Sequence, residues 1–224
     1  MCIRVRQTSI KRRCVVAFFA CLSVLSTAVA VLAACASPET KVPVCPDVEV
    51  VFARGLGEPP GVGAVGQAFV DSLRSNTGRD VGEYGVNYPA DKKEVTLGVA
   101  DMNAHIDSMV VNCPGTELVV GGYSLGGAVT TEALREPQPS GTDRQVAAVV
   151  IFGNGSKVVG VPVGMSPQFA DKTIDLCNPQ DPVCSEGPSL EPHLQPAYIG
   201  GGAVRSAVDF AVKKLNSDPP LETG

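Results

Sequence analysis

The sequence predicts an α/β protein in which helices cover both faces of a central parallel sheet of five strands. Two observations support this prediction. Short apolar segments alternate along the chain with longer segments in which apolar residues recur at helical spacing. No repeat, linker or low-complexity segment interrupts the alternation between Cys45 and Leu215, which indicates one domain.

The alternation assigns the elements in chain order. The predicted strands are residues 48–53, 83–88, 117–121, 146–152 and 173–177, and the predicted helices are residues 62–75, 95–111, 127–135 and 203–215. In the second helix, the apolar residues that recur at helical spacing are Val99, Met102, Ile106 and Met109. His105 lies at the edge of that apolar face and is predicted to be a boundary residue at the surface.

A G-x-S-x-G pentapeptide, residues 122–126, lies between the third predicted strand and the third predicted helix. At such a junction the chain must turn so sharply that only small residues fit on either side of the serine. The turn exposes the hydroxyl at the positive end of a helix, beside a free backbone N–H. Although the pentapeptide also arises by chance in a chain with 24 glycines, this context predicts that Ser124 is a catalytic nucleophile.

The base and the acid are expected after Ser124, in the chain order Ser, Asp or Glu, His. His193 is the only histidine after Ser124, and Pro192 and Pro196 beside it predict an ordered loop without helix. The acidic candidates include Asp143, Asp171, Asp175, Asp181 and Asp209. Asp181 is favoured because it follows the last predicted strand, and catalytic groups of open α/β sheets gather beyond the carboxyl ends of strands.

These features together resemble the cutinase family of serine esterases, in its actinobacterial branch. The resemblance rests on Gly121-Gly122-Tyr123-Ser124, on Asp181 between Cys177 and Cys184, and on His193 downstream. The segments 45–55, 86–90 and 152–154 are similar as well, so that the resemblance covers residues 45–215. It implies an α/β-hydrolase fold and a serine carboxylic ester hydrolase that needs no cofactor or metal and acts as a monomer.

The oxyanion hole is predicted from the sharp turn at Ser124 (the nucleophile elbow, residues 122–126) and from the family resemblance. The residue after the nucleophile supplies one backbone N–H, that of Leu125, and the resemblance points to Leu56 for the other. Many family members carry Ser or Thr in place of Leu56 and Gln in place of Leu125, which adds side-chain donors. Both backbone N–H groups survive here, so catalysis is expected with a weaker oxyanion hole.

Two further features concern the surroundings of the site. Leu190, Leu194, Pro196 and residues 161–163 are expected to form an apolar rim, and no insertion is long enough for a large lid. An open apolar site favours esters with short-to-medium acyl chains. Residues 61–66 also spell the dinucleotide fingerprint G-x-G-x-x-G, but Glu58-Pro59-Pro60 separates it from the preceding strand, which indicates a coincidence.

The eight cysteines divide into two groups. Cys2, Cys14, Cys21 and Cys35 belong to the N-terminal segment, and an even number in the body suits an oxidising compartment. Four cysteines allow three pairings. Cys177 and Cys184 are close enough for a tight ring around Asp181, which leaves Cys45 for Cys113, the pairing that the family resemblance also implies. A zinc site is disfavoured because C-x-x-C spacing and nearby histidines are absent.

Residues 1–34 have the layout of a secretory signal peptide, with five basic residues before an apolar run that lacks acidic residues. The run is also long enough for an uncleaved membrane anchor. Residues 32–35 match a bacterial lipobox, in which Cys35 is lipidated, whereas residues 34–36 fit ordinary cleavage. The expected organisation is a leader at 1–34, a tether at 35–44, the domain at 45–215 and a flexible tail at 216–224. The protein is expected to be secreted or attached to the cell envelope.

The charge of the body limits its partners. Without the leader, 13 Lys and Arg face 23 Asp and Glu, a formal net charge of −10. Nucleic acid and anionic lipid headgroups would be repelled, which favours neutral ester or lipid substrates. A second hypothesis is a weakly active or inactive envelope protein with the same fold that binds lipid or a surface partner. The leucines at 56 and 125 favour that hypothesis, and the retained Ser, His and Asp oppose it.

Overall fold

The computed structural model of the chain describes residues 44–217. A parallel sheet of five strands, in the order β2-β1-β3-β4-β5, forms its centre. The strands are β1 (Val48–Ala53), β2 (Val81–Gly85), β3 (Glu117–Tyr123), β4 (Val146–Phe152) and β5 (Thr173–Leu176). The helices are α1 (Gly63–Thr77), α2 (Val95–Asn112), α3 (Leu125–Ala133), α4 (Thr142–Gln145), α5 (Ser156–Val159), α6 (Gln195–Gly200) and α7 (Ala203–Leu215). The predicted leader, most of the tether with Cys35, and the end of the tail lie outside the described residues.

The predicted fold class is confirmed, and β1, β4 and α7 have the predicted bounds. The largest difference concerns β2, which lies at Val81–Gly85 instead of residues 83–88. The register of β1 with β2 runs from Val48 opposite Val81 to Phe52 opposite Gly85, and the last bond between them is the one that the Val86 N–H donates to the Phe52 carbonyl at 3.0 Å. Beyond that bond residues 86–88 are held by a side chain, since Arg54, the residue after β1, donates hydrogen bonds to the carbonyls of Val86 and Tyr88.

Several short helices were not predicted, and one of them corrects the prediction made from the prolines around His193. Residues Glu191–His193 form a turn of 3₁₀ helix, and α6 begins at Gln195. Pro192 and Pro196 both occupy the first turn of these helices. A first-turn residue has no N–H partner within its helix, so proline costs nothing there. The expectation that these prolines prevent helix is therefore wrong.

Two apolar clusters, one on each face of the sheet, hold the helices in place. On one face α1 and α7 pack over Phe52 and Phe152, and on the other α2 and α3 pack over Leu118 and Val120. The central strands β3 and β4 are buried along their whole lengths. Because all strands run in one direction, the loops after β1, β3, β4 and β5 meet at one edge of the sheet, beyond the carboxyl ends of the strands.

A disulfide and a packed histidine lie at the opposite edge of the sheet, near the amino ends of the strands and away from these loops. Cys45 and Cys113 form a disulfide with an S–S distance of 2.00 Å, which ties the segment before β1 to the end of α2. His105 of α2 stacks on Tyr84 at a ring distance of 3.5 Å, and its Nε2 lies 2.7 Å from Oε2 of Glu49. His105 therefore helps to pack α2 against the sheet. Within residues 44–217 no helix is long and apolar enough to cross a membrane.

Candidate active site

The turn between β3 and α3 places Ser124 in a strained backbone conformation. Its φ of 56° and ψ of −114° lie in a region that residues other than glycine rarely adopt. A Cβ on Gly122 would lie 2.2 Å from the Gly126 carbonyl oxygen, and one on Gly126 would lie 1.9 Å from that of Ala53. The backbones approach too closely for any side chain, which is why the pentapeptide has glycine on both sides of the serine.

Hydrogen bonds from neighbouring strands hold this turn. The Ser124 N–H donates to the Phe152 carbonyl of β4 at 2.9 Å. The Ser124 carbonyl accepts from the N–H groups of Gly127 and Gly155, each at 3.0 Å. The strained residue is therefore fixed from both β4 and α3, and its half-buried side chain faces the edge of the sheet where the other loops meet.

Ser124, His193 and Asp181, which the sequence singled out, lie side by side in the structure. Nε2 of His193 lies 2.8 Å from Oγ of Ser124, and Nδ1 lies 2.7 Å from Oδ2 of Asp181. Asp181 is fully buried, and His193 is only 8% exposed. With Nδ1 protonated toward the carboxylate, Nε2 is the acceptor for the serine hydroxyl. This arrangement can remove a proton from Ser124 and stabilise the resulting imidazolium.

The carboxylate of Asp181 has two further hydrogen-bond donors. The Tyr198 hydroxyl donates to Oδ2 at 2.6 Å, and the Val183 N–H donates to Oδ1 at 2.8 Å. Burial by itself would raise the pKa of Asp181, but the hydrogen bonds from Tyr198, His193 and Val183 outweigh burial and lower the pKa below its ordinary value. Burial, and then the bond to Asp181, raise the pKa of the Tyr198 hydroxyl, which keeps it a donor.

Tyr198 was not predicted from the sequence. It lies on α6, a helix too short to show periodicity, and a lone tyrosine in a loop-like segment carries no motif. Its position follows from packing, since the ring lies edge-on to Phe152 and to His193. The hydroxyl also accepts the Asn178 N–H at 3.2 Å, so Tyr198 joins the segment that carries the acid to the helix that follows the base.

The Cys177–Cys184 disulfide closes a ring around Asp181, with an S–S distance of 2.05 Å. The ring is bound to the segment of the base, because Nδ2 of Asn178 donates to the Pro192 carbonyl at 2.9 Å. From the other side, the Tyr123 hydroxyl donates to the His193 carbonyl, and the two rings stack 5.4 Å apart. The acid and the base are thus held by covalent, hydrogen-bonded and aromatic contacts.

Asp175, another acidic candidate, has a different partner. It lies on β5, and its Oδ2 accepts a hydrogen bond from Nδ2 of Asn154 at 3.0 Å. Burial raises the pKa of Asp175, although the bond from Asn154 opposes the shift. Asn154 also donates to Oγ1 of Thr131, so this group of side chains joins β4, β5 and α3 behind the elbow. Asp175 therefore supports the fold around Ser124 and makes no contact with His193.

The two leucines predicted for the oxyanion hole line the same cavity as Ser124. Leu125 is the first residue of α3, where a backbone N–H has no partner in the preceding turn. Leu56 lies in the loop after β1, with its side chain 50% exposed. The N–H groups of Gly55, Gly57 and Glu58 in this loop all have acceptors, whereas none of the described residues accepts that of Leu56. Both N–H groups are thus available to a ligand.

A cavity of about 530 Å³ opens beside Ser124. Leu56, Val158, Leu190 and Leu194 line it, and each is about half exposed or more, which gives the opening an apolar rim. The remaining lining residues include Lys92, Val159, Val183, Gln195 and Pro196. Leu190, Leu194 and Pro196 line the cavity as predicted. Residues 161–163, which were also predicted to form its rim, do not line it. The reason is that the chain turns away at Gly160, whose φ is +73°, so that α5 contributes Val158 and Val159 instead.

The sequence model of the cutinase family matches residues 44–215. The chain belongs to the cutinase family. The probable carboxylesterase Culp2 of Mycobacterium tuberculosis is 48% identical over 186 residues, which cover 76% of this chain and 80% of the relative. The phospholipase Culp4 of the same organism is 45% identical over 183 residues, with the same coverage of both chains.

Solved structures agree with the fold. A Trichoderma reesei cutinase in complex with a phosphonate inhibitor is 32% identical, with a TM-score of 0.61 over 76% of this chain and 77% of that one. An acetylxylan esterase is 25% identical, with a TM-score of 0.66 over 76% of this chain and 99% of that one. The cutinase-like α/β-hydrolase fold predicted from the sequence is therefore confirmed. The family and its carboxylesterase members establish the chain as a serine ester hydrolase.

Proposed function

We propose that the protein hydrolyses carboxylic esters with short-to-medium acyl chains, including lipid esters, through Ser124, His193 and Asp181. The observation that carries the proposal is the continuous chain of hydrogen bonds that joins the three side chains at the mouth of an apolar cavity. The carboxylesterase and phospholipase relatives support ester and lipid substrates. The reaction needs only protein groups and water.

In the first half of the reaction, Oγ of Ser124 attacks the ester carbonyl carbon while Nε2 of His193 takes the hydroxyl proton. The carbonyl oxygen becomes the negative oxygen of a tetrahedral intermediate. When this intermediate collapses, the bond to the alcohol oxygen breaks and His193 returns the proton to the leaving alcohol. A water molecule then attacks the acyl-serine in the same way, which releases the carboxylic acid and restores Ser124.

Asp181 acts on His193 throughout this cycle. Its lowered pKa keeps it a carboxylate at neutral pH, so that it accepts from Nδ1 and stabilises the imidazolium. The N–H groups of Leu56 and Leu125 are the donors to the developing oxyanion. Leucine side chains add no donor, and removing one oxyanion donor in serine hydrolases costs about 3–4 kcal/mol of transition-state stabilisation. We therefore expect a lower turnover than that of a cutinase that carries hydroxyl and amide side-chain donors at these two positions.

Two experiments test the proposal. A fluorophosphonate probe should label the wild-type protein at Ser124 and leave Ser124→Ala unlabelled, as peptide mapping by mass spectrometry would show. A series of p-nitrophenyl esters of increasing acyl length should give the highest kcat/KM at short-to-medium chains, because the 530 Å³ cavity is open and has an apolar rim. Labelling of a residue other than Ser124 would contradict the proposed nucleophile.

The second candidate is an envelope protein with little or no activity that binds lipid or a surface partner. The leucines at 56 and 125 favour it, because they remove the side-chain donors of an oxyanion hole. The same probe discriminates between the two candidates. Binding of lipid vesicles together with failure of the probe to label folded protein at Ser124 would support the binding function over catalysis.

We also propose that the protein is exported and held at the outer face of the membrane through Cys35. The lipobox at residues 32–35 carries this proposal, since Cys35 is the one cysteine after the leader that the two disulfides do not use. Two acyl chains suffice for stable anchoring. Cys35→Ser should release the esterase into the medium. A native, unlipidated N-terminus at Ser37 would instead favour ordinary secretion after Ala36.

A further inference from the structure

The side chain of Glu58, in the loop after β1, accepts hydrogen bonds from three donors. Its Oε2 accepts the Gly55 N–H at 2.6 Å, and its Oε1 accepts the Ala64 N–H at 2.8 Å. Nε2 of Gln195 also donates to Oε1, at 2.6 Å. One half-buried carboxylate thus joins the loop after β1, the start of α1 and the start of α6.

Two glycines make the space that this carboxylate occupies. A Cβ on Gly55 would lie 3.0 Å from Oε2 of Glu58, and one on Gly63 would lie 2.5 Å from it. Gly63 also has a φ of +71°, a conformation that favours glycine. The G-x-G-x-x-G motif therefore has a structural use here, because its second glycine admits the Glu58 side chain where the dinucleotide fingerprint would bind phosphate.

The start of α1 favours a negative group at this place. Its N-cap residue, Val62, makes no side-chain cap, and its first turn contains no acidic residue. Glu58 supplies the missing acceptor from outside the helix, at the end where the helix dipole stabilises a negative charge. Gln195 lies two residues after His193 and lines the cavity, so the same carboxylate also reaches the segment that carries the base.

These contacts bear on the Leu56 N–H. The Gly55 N–H is taken by the Glu58 side chain, the Glu58 N–H by the Gly55 carbonyl, and the Gly57 N–H by the Ala90 carbonyl. The backbone on both sides of Leu56 is therefore fixed. Because Leu56 has no hydroxyl, its contribution to an oxyanion depends entirely on where this one N–H points.

We propose that Glu58 is a positioning residue that holds the Leu56 N–H in the orientation required of an oxyanion donor. The inference rests on the proposed function, in which Leu56 supplies such a donor. Glu58 makes no contact with the substrate in this scheme and acts on the oxyanion through the loop after β1. Small displacements matter here, since a shift of about 1 Å in a catalytic group can cost roughly 10²-fold in rate.

The test compares Glu58→Ala, which removes all three bonds, with Glu58→Gln, which keeps the shape and one acceptor oxygen. Two quantities are measured with the full chain: kcat and KM for p-nitrophenyl butyrate, and the dissociation constant of a trifluoromethyl ketone of matched chain length. That ketone forms a tetrahedral oxyanion on the serine, so its affinity reports the oxyanion donors, whereas the matched alcohol reports ground-state binding.

Glu117→Ala is the matched control, because it removes a carboxylate that binds Arg79 near the amino ends of the strands. Its thermal stability is expected to fall while kcat changes by less than about twofold. Glu58→Ala is expected to lower kcat and trifluoromethyl ketone affinity together by roughly 10- to 100-fold, with KM and alcohol affinity nearly unchanged. Glu58→Gln should lie between wild type and Glu58→Ala on both measures.

The proposal is overturned if Glu58→Ala keeps wild-type kcat and ketone affinity, or if both fall only as much as in Glu117→Ala at equal loss of stability. Ser124→Ala is measured in parallel to separate this inference from the function on which it rests. Full turnover by Ser124→Ala would remove the proposed function itself. An inactive Ser124→Ala beside a fully active Glu58→Ala would remove only the positioning role of Glu58.

Discussion

The two halves of the site are built in different ways. The half proposed to transfer the proton contains Asp181 and His193, which are almost fully buried and joined by a side-chain hydrogen bond, and a disulfide encloses Asp181. The half proposed to bind the developing negative charge consists of two backbone N–H groups that belong to leucines, one of which is half exposed. One half is defined by the identity of its side chains, and the other by the path of the backbone.

This difference separates what each half requires. Proton transfer needs particular functional groups, so a substitution there removes the chemistry. An oxyanion donor can be any residue other than proline, provided that its N–H points correctly, so a substitution there changes the strength of catalysis. The leucines at 56 and 125 are compatible with an active enzyme for this reason, and in the proposed scheme Glu58 holds the loop that carries Leu56.

The largest effects are expected in the first half. Ser124→Ala, Asp181→Asn and His193→Ala should each lower kcat by roughly 10⁴-fold or more, because the three side chains act as one unit. Circular dichroism should show that the variants stay folded. His105→Ala is the control, since that histidine bonds to Glu49 and stacks on Tyr84. Loss of turnover in His105→Ala with retention in His193→Ala would mean that the base is assigned wrongly.

A second prediction concerns the two disulfides, which should affect different properties. Replacing Cys177 and Cys184 together by serine should lower kcat about tenfold through misplacement of Asp181, with a loss of stability of about 2–3 kcal/mol because the ring is short. Replacing Cys45 and Cys113 together should cost about 4 kcal/mol, since the sequence separation is 68 residues. The folded fraction of that second variant should keep nearly full kcat.

Denaturant unfolding and the turnover of each folded variant would check this pair. If the Cys177 and Cys184 variant lost stability without loss of kcat per folded molecule, the ring would serve the fold and not the acid. Peptide mapping that paired Cys177 with Cys45 or Cys113 in the native protein would also contradict the assignment.

A third, smaller effect is expected from Tyr198→Phe, which removes the hydroxyl that donates to Asp181. A hydrogen bond to a charged group contributes about 1.5–3 kcal/mol, so a loss of that order in stability at pH 7 and a several-fold lower kcat should follow. The pKa of Asp181 is lowered in the folded protein, so its contribution to stability is present above the unfolded pKa of about 4 and is lost as pH falls through the folded pKa. The difference between wild type and Tyr198→Phe should therefore shrink toward pH 3.

Urea unfolding at pH 7 and pH 3 would measure that difference. Tyr84→Phe is the matched control, because the Tyr84 hydroxyl donates to Asp101 at 3.0 Å, outside the site. Its turnover should equal that of wild type. An equal kcat in Tyr198→Phe and Tyr84→Phe would show that the carboxylate needs no donor besides His193 and Val183.

The same division explains how much could be predicted from the sequence. Apolar spacing predicts the order of the main strands and helices. The glycines around Ser124 and the chain order Ser, Asp, His single out Ser124, Asp181 and His193 as candidate site residues. The structure pairs the cysteines as expected, Cys45 with Cys113 and Cys177 with Cys184. These features are visible in the sequence because few other residue types can replace the glycines, the cysteines or the Ser, Asp and His side chains in these roles.

Other features of the site are set by tertiary packing and carry no local pattern. Tyr198 of α6 donates to Asp181, and nothing in the sequence separation of 17 residues indicates this contact. The role of Glu58 depends on space left by Gly63, which the sequence presents only as part of a misleading motif. The bounds of β2 differ from the predicted ones because its register with β1 sets them, with Val81 opposite Val48 and Gly85 opposite Phe52, and a residue's own propensity does not contain that information.

The smallest expected effect belongs to the oxyanion half, and it is a gain. Leu56→Thr places a hydroxyl beside the backbone N–H where negative charge develops, and we expect kcat to rise by about two- to tenfold, well short of the full value of an ideally placed donor. Leu56→Val is the matched control, since valine has the shape of threonine without the hydroxyl. The Leu56 side chain is 50% exposed, so neither change should alter stability much. Kinetics with p-nitrophenyl butyrate and affinity for the trifluoromethyl ketone should both improve in the threonine variant alone. Equal values for threonine and valine would show that donor number does not limit this enzyme, and that the backbone N–H, as held by the loop, already suffices.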